Sequence, residues 1–496
     1  MHSEPDSSTN PRALAWRLLT LALLATALAA CGRGPTSSGN TGPVRQLKAS
    51  DLTPAERKYG IAPIPDASVK YQPDVVIVGG GAESIRGQSE NGFVWTIDAN
   101  AKHADELVEG KVMFVTGRAL GRVLAVRRSG GNLQVFVGPV DLTDVVREAD
   151  IKIEGMPLDF NEALRYTSTD LPGRVVPLAQ AVEQPEGRAI PAMLRRVGDT
   201  PGPAPPRPDW DVSKLVNFKP MAMVDTSGIG LRISSDSGDL KVHGQVWMAL
   251  EKPTLNVTLI IRASGVKEAS VNLGGTAGLK WRFGVGTAVG RSANVSGVVE
   301  PDTELSIPLA GFGPLPISVN VRQRLSIRTA LGARNSTLNA TGEYSFSGAL
   351  KAGYFGGRWD ITGPTDIKST NNLLANSGGV SIAAGGVNLG HVVRVTVGFG
   401  AAGFTVGPFV AFNSALGLFK GSDLGMIPCR EVTLVMSMWG GVGYTMPRII
   451  AKVINSFLSF VGIKQEIQAE GSLAPSPSVE LYNNTKTLPG CRAGSG

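Results

Sequence analysis

Residues 317–346 read ISVNVRQRLSIRTALGARNSTLNATGEYSF, and two alternating patterns in this stretch decide the fold class. Ile317, Val319, Val321, Leu325 and Ile327 form an apolar face on odd numbers, and Leu338, Ala340, Tyr344 and Phe346 form one on even numbers. Period-two alternation is the signature of half-buried antiparallel strands. A turn at Gly332–Asn335 couples odd positions to even ones, so the two apolar faces coincide. It sets Val321 opposite Phe346 and Arg324 opposite Glu343, a favourable cross-strand charge pair. Each strand has room for about fifteen residues, or ~50 Å at ~3.4 Å per residue, against the usual five or six.

The same period appears on both sides of this stretch. Leu240, Val242, Val246, Met248 and Leu250 fall on one face, with Lys241, His243 and Gln245 on the other. Leu255, Val257, Leu259 and Ile261 repeat it, as do Val393, Val395, Val397 and Phe399. Glycine makes up 62 of 496 residues, well above the usual ~7%. No Gly-X-Y period accompanies it, so collagen is excluded. Gly398, Gly400, Gly403, Gly407 and the pairs Gly378-Gly379 and Gly385-Gly386 interrupt alternating runs instead, which predicts bulges and bends in curved strands. Near the end, Ile449, Ile450, Val453, Ile454, Phe457, Leu458 and Val461 recur at helical spacing, with Pro447 in the first turn and Gly462 at the C-cap. The reading is mainly β: a large antiparallel domain at 210–496 with long, curved strands and one amphipathic C-terminal helix.

A smaller β-rich, α+β domain at 50–199 precedes it, across a stiff Pro-rich linker at 200–209 (Pro201, Pro203, Pro205, Pro206 and Pro208). In that smaller domain Val112–Val115 opens a strand running into Ala119–Arg128. Ser129-Gly130-Gly131-Asn132 turns the chain and Leu133–Val137 returns. Leu142–Ala149 reads as a short helix capped by Asp141 or Thr143. Residues 31–49, rich in Gly, Ser and Pro, read as a flexible tether.

Residues 1–30 read as an export signal. Arg12 and Arg17 precede an apolar run, Leu18–Ala30, too short for the ~20 residues that span a bilayer as a helix. The run closes on Leu28-Ala29-Ala30-Cys31. Residues 12–31 resemble the signal and lipobox of bacterial lipoprotein precursors; the resemblance covers nothing beyond them. It implies that Cys31 becomes the N-terminal residue, carrying a thioether-linked diacylglycerol and an amide-linked acyl chain such as palmitate. Several acyl chains at ~0.8 kcal/mol per buried CH₂ make such an anchor effectively permanent. Gly32, rather than aspartate, follows it, which points to the outer membrane. Cys429 and Cys491 then remain, and two cysteines in an oxidising compartment pair as a disulfide more often than they stay free.

The net charge of +7 lies in residues 209–496, since 31–208 hold equal numbers of basic and acidic residues. The bias is mild. It suits an anionic glycan, lipid or envelope protein and falls short of the dense basic stripe of a nucleic-acid binder. Arg322, Arg324 and Arg328 share the polar face of one strand; their guanidinium forks suit a phosphate or uronate, and a solvated face with Glu343 as partner is the plainer reading. Val75–Ala82, with Gly79-Gly80-Gly81, lacks the third glycine of a dinucleotide fingerprint and reads as a glycine-rich turn. Asp236-Ser237-Gly238 lacks the flanking glycines of a protease nucleophile and also reads as a turn. No catalytic constellation is found, and no cofactor or metal site is expected; three histidines beyond the N-terminal segment leave little for a histidine-based metal site.

These readings point to a non-enzymatic binding or scaffolding lipoprotein of the bacterial envelope, on its outer membrane, with the membrane engaged through the lipid anchor. Three alternatives stay open: a lipid-binding or transfer protein with an apolar groove in the C-terminal domain, a β-barrel or pore subunit, and an envelope-polymer hydrolase.

Overall fold

Alternation along the sequence becomes two large antiparallel sheets and one smaller sheet. The structure is a computed structural model. It describes residues 45–64, 69–89, 93–138, 140, 142–167, 175–176, 219–235, 240–287, 296–299, 303–310, 315–331, 337–355, 357–371, 376, 385–401, 404–423, 427–445, 470–472 and 478–487. The long strands of the large sheets are β1 (Val146–Pro157), β2 (Lys219–Asp225), β3 (Gly228–Ser235), β4 (Leu240–Arg262), β5 (Gly265–Thr287), β6 (Ile317–Leu331), β7 (Thr337–Ser347), β8 (Gly385–Ala401), β9 (Phe404–Asp423), β10 (Ile427–Thr445) and β11 (Ser478–Thr487). One sheet runs β2-β3-β4-β5-β7 and ends on Thr365–Asn371, with β1 beside the second half of β4. The other runs from Thr303–Ala310 through β6-β8-β9-β10, with β11 beside β10.

Strands β6 and β7 occupy the stretches that their alternation predicts, and each buries the predicted face. They do not form a hairpin. β6 pairs with β8, Val321 lying opposite Val395, whereas β7 pairs with β5 in the other sheet, Lys280 lying opposite Glu343. Matching parity does not make two strands neighbours. Two inward apolar faces coincide equally well when their strands lie side by side or when they face each other across a core. Five residues, 332–336, separate them in sequence, a length of chain sufficient for the ~10 Å between packed sheets. Arg324 therefore meets Val392, and Glu343 accepts a charge-assisted hydrogen bond from Lys280 (Nζ–Oε1 2.7 Å).

Between the large sheets lies one continuous apolar core. Phe346 of β7 packs on Phe412 of β9 with ring centroids 6.2 Å apart, and Tyr344 of β7 on Tyr482 of β11 at 5.8 Å. Tyr482 is half-buried, whereas a fully buried ring such as Phe412 contributes about 1.5–3 kcal/mol through removal of apolar surface from water.

The two runs at 240–250 and 255–261 belong to one strand of 23 residues. The buried positions change from even to odd across Glu251-Lys252-Pro253. The register against β5 shifts there, and Lys252 takes a left-handed conformation (φ 45°). Such a bulge re-phases the side chains so that both halves still face the core. It is also where the neighbour of β4 changes from β3 to β1.

The smaller sheet holds six strands within residues 75–138. Its hairpin turns where predicted: Leu120–Ser129 turns at Gly130 (φ 58°) and Gly131 into Asn132–Gly138, with Ser129 opposite Asn132. The single strand expected from Val112 into Arg128 is instead two, Val112–Phe114 folding back antiparallel on Leu120–Arg122. Val75–Ile77 runs parallel to Val112–Phe114, and the glycines that follow form a turn, Gly80 at φ 80°. Met113 and Val115 point into a local core with Trp95 and Ile97. Val112 and Phe114 point the other way, into the main core, where Phe114 meets Phe399 at 5.3 Å. The predicted helix at Leu142–Ala149 is only Leu142–Val145; β1 begins at Val146, because Ala149, Ile151 and Ile153 alternate with exposed or half-exposed charges. The predicted helix at Ile449–Val461, the turn at Gly332–Asn335 and Asp236-Ser237-Gly238 lie outside the described residues.

Candidate functional site

Arg322, Arg324 and Arg328 do line one face of β6, but not as an open row. Arg322 is 9% exposed, and Arg324 and Arg328 are partly buried. Arg394 of β8, 4% exposed, stands directly opposite Arg322 and lies over the Phe409 ring, its guanidinium carbon 3.7 Å from the centroid. Flat guanidinium stacking on an aromatic face stabilises the cation away from water. Burial holds the Arg328 guanidinium below its ordinary pKa. Arg322, Arg324 and Arg394 all have interaction partners, and the predicted link to Glu343 is replaced by Lys280. The solvated face expected here is thus a largely buried one.

Cys31 and Cys491 lie outside the described residues, and Cys429 falls in β10 opposite Gly421. Among the buried polar side chains of the described residues is a histidine. His391 is fully buried, and its Nε2 lies 3.2 Å from Oε1 of Gln323. Its ring meets Trp281 edge-on at 6.3 Å. Burial pushes the His391 pKa down to about 3, so the imidazole is neutral near pH 7 and donates to the amide oxygen. Among the described residues no group of three or more His, Cys, Asp or Glu is arranged to hold a metal ion.

A different surface collects exposed polar chemistry: the outer face of the sheet built on β4. Antiparallel sheets bury one face and leave the other to solvent, and the odd positions of β4 up to Ala249 face outward. His243, Gln245 and Trp247 follow one another there. Gln245 lies between Arg232 of β3 and Arg282 of β5, both exposed. Lys280, beside Trp247, is paired with Glu343. The indole of Trp247 lies across β3: a Cβ on Gly230 would come within 2.7 Å of it, and one on Gly228 within 2.9 Å. The His243 imidazole fills the space that a Cβ on Gly284 would need. Both rings therefore rest on glycine backbone. The alternation exposed Lys241, His243 and Gln245 to sequence reading, but Arg232, Trp247 and Arg282 gain meaning only from the register.

Residues 199–474 match a domain of unknown function, DUF8402. The chain belongs to the DUF8402 family. Its match takes in β2 through β10, and so both large sheets' long strands apart from β1 and β11. Residues 55–148 match a second domain of unknown function, DUF8403, which covers the smaller sheet. No curated protein and no solved structure matches this DUF8402 chain.

Proposed function

We propose that this protein is a lipoprotein of the bacterial outer membrane, anchored through Cys31, whose β body binds an envelope component rather than transforming one. The observation that carries the reading is the Arg12–Cys31 segment: basic residues, a short apolar run and Leu28-Ala29-Ala30-Cys31. The fold is compatible with it. The core between the large sheets is packed with side chains, while the outer face of β3, β4 and β5 offers exposed arginines and aromatic rings to a partner. Packing of the described core favours this reading over an apolar lipid groove. Metabolic labelling with radioactive palmitate, followed by membrane fractionation, tests the anchor. Wild type should carry label and sediment with outer membrane, and Cys31→Ser should lose both. An unlabelled wild type, or a Cys31→Ser variant that stays membrane-bound, would overturn the proposal.

A further inference from the structure

The outer face of β3, β4 and β5 has a specific geometry. Trp247, Gln245 and His243 stand in line along β4, two residues apart each. At ~3.4 Å per residue the backbones of positions 243 and 247 are about 14 Å apart, and the two rings lean to opposite sides of β4, the indole over β3 and the imidazole over β5. Arg232 and Arg282 flank the midpoint, one strand to either side, so their backbones are about 10 Å apart at ~4.8 Å per strand. Both guanidiniums are exposed, and the one acidic side chain in the neighbouring rows of β7, Glu343, is occupied by Lys280. The surface is thus a track with a flat ring at each end and positive charge at its centre.

We propose that this track binds an anionic polysaccharide bearing carboxylates, a uronate polymer, laid along β4. The proposal rests on the envelope reading above, which sets the compartment. Two features select the ligand. Guanidinium forks match carboxylates bidentately and do so best where no protein carboxylate competes. The indole lies against glycine backbone rather than standing out from it, and so presents its face to the flat C–H side of a sugar ring. A bilayer would instead call for apolar side chains that project outward; Met221 at the β2 edge, 50% exposed, is the large one in these rows.

The test is binding of full-length protein, purified in detergent, to alginate and to uncharged dextran of similar length. Alginate should bind and dextran should not. Gln245→Glu places a carboxylate between Arg232 and Arg282 and should weaken alginate binding at least tenfold without disturbing the fold. Arg232→Ala/Arg282→Ala should do the same. Arg127→Ala/Arg128→Ala removes equal charge from exposed sites in the smaller sheet and should leave binding unchanged. Equal loss in the two double variants, an unaffected Gln245→Glu, or dextran binding as tight as alginate would overturn the proposal. So would tighter binding to anionic phospholipid vesicles or to a single-stranded DNA oligomer, each of which would assign the face to another class of partner. None of these outcomes depends on whether Cys31 is lipidated, and palmitate labelling does not depend on what the face binds.

Discussion

Replacing Gly407 with alanine tests a close backbone approach between β8 and β9. Gly398 of β8 and Gly407 of β9 lie face to face between the pairs Thr396–Phe409 and Phe399–Val406. A Cβ on either would come within 2.8 Å of the other's Cα, and closer still to a carbonyl oxygen, of Val406 or of Val397. These obstacles are backbone and cannot rotate away as a side-chain end would. Overpacking costs about 1–3 kcal/mol, and Gly407→Ala should lie near the top of that range, about 3 kcal/mol. Gly398→Ala should cost a similar amount. Once the strands have separated to admit one methyl group, the second has room, so the double variant should cost clearly less than the two singles together. Gly131→Ala is the control: it is exposed and a Cβ there meets nothing within 4 Å, so it should fall within about 0.5 kcal/mol of wild type. Urea unfolding followed by tryptophan fluorescence reads these differences as midpoint shifts at constant slope. A Gly407→Ala midpoint equal to that of Gly131→Ala, or strict additivity in the double variant, would refute the reasoning.

The sheet assignment of β6 and β7 has its own test: a double-mutant cycle should give about 0.2–1 kcal/mol of coupling between Lys280 and Glu343 and none between Arg324 and Glu343. His391, held neutral in the folded state, must bind a proton on unfolding below its ordinary value of 6.5. Stability from this group is therefore complete above about pH 6.5 and is lost toward pH 3, by up to ~1.4 kcal/mol per pH unit; His391→Leu should flatten urea midpoints measured between pH 6.5 and 4. A chain of residues 199–496 alone would leave the second half of β4 without β1 along that edge, and exposed edges pair with other chains. Size-exclusion chromatography should find it aggregated where the full chain is not.

How far the sequence was legible follows from what alternation encodes. It reports which side of a strand is buried, and so the strands at 240–262, 317–331, 337–347 and 385–401 were all readable from their apolar faces. It does not report which strand lies beside which. Val321 and Phe346 both point inward, and only the structure shows that they belong to different sheets. The change of parity between Leu250 and Leu255 did encode the bulge at Lys252. Read as two strands, it concealed a single long one. Ile151 and Ile153, set among Asp150, Lys152 and Glu154, carried a strand signal that the preceding helical pattern obscured. The face at Arg232, Gln245 and Arg282 was least legible of all, since three strands bring these residues together and no local pattern joins them.

The passage of the chain between sheets also has a kinetic consequence. β4 meets β1 through residues about a hundred positions apart, as in the pair Ile261–Ala149, and β6 meets β8 across 54 to 82 positions, from Leu331–Gly385 to Ile317–Phe399. Neither sheet can be completed by local hairpins alone, so much of the loop-closure entropy falls due before the core can reward it. A chain of this topology folds slowly and keeps apolar edges open while it does so. On the export route proposed above, that delay would suit translocation, and it would make protection from aggregation on the far side a condition of reaching the native state.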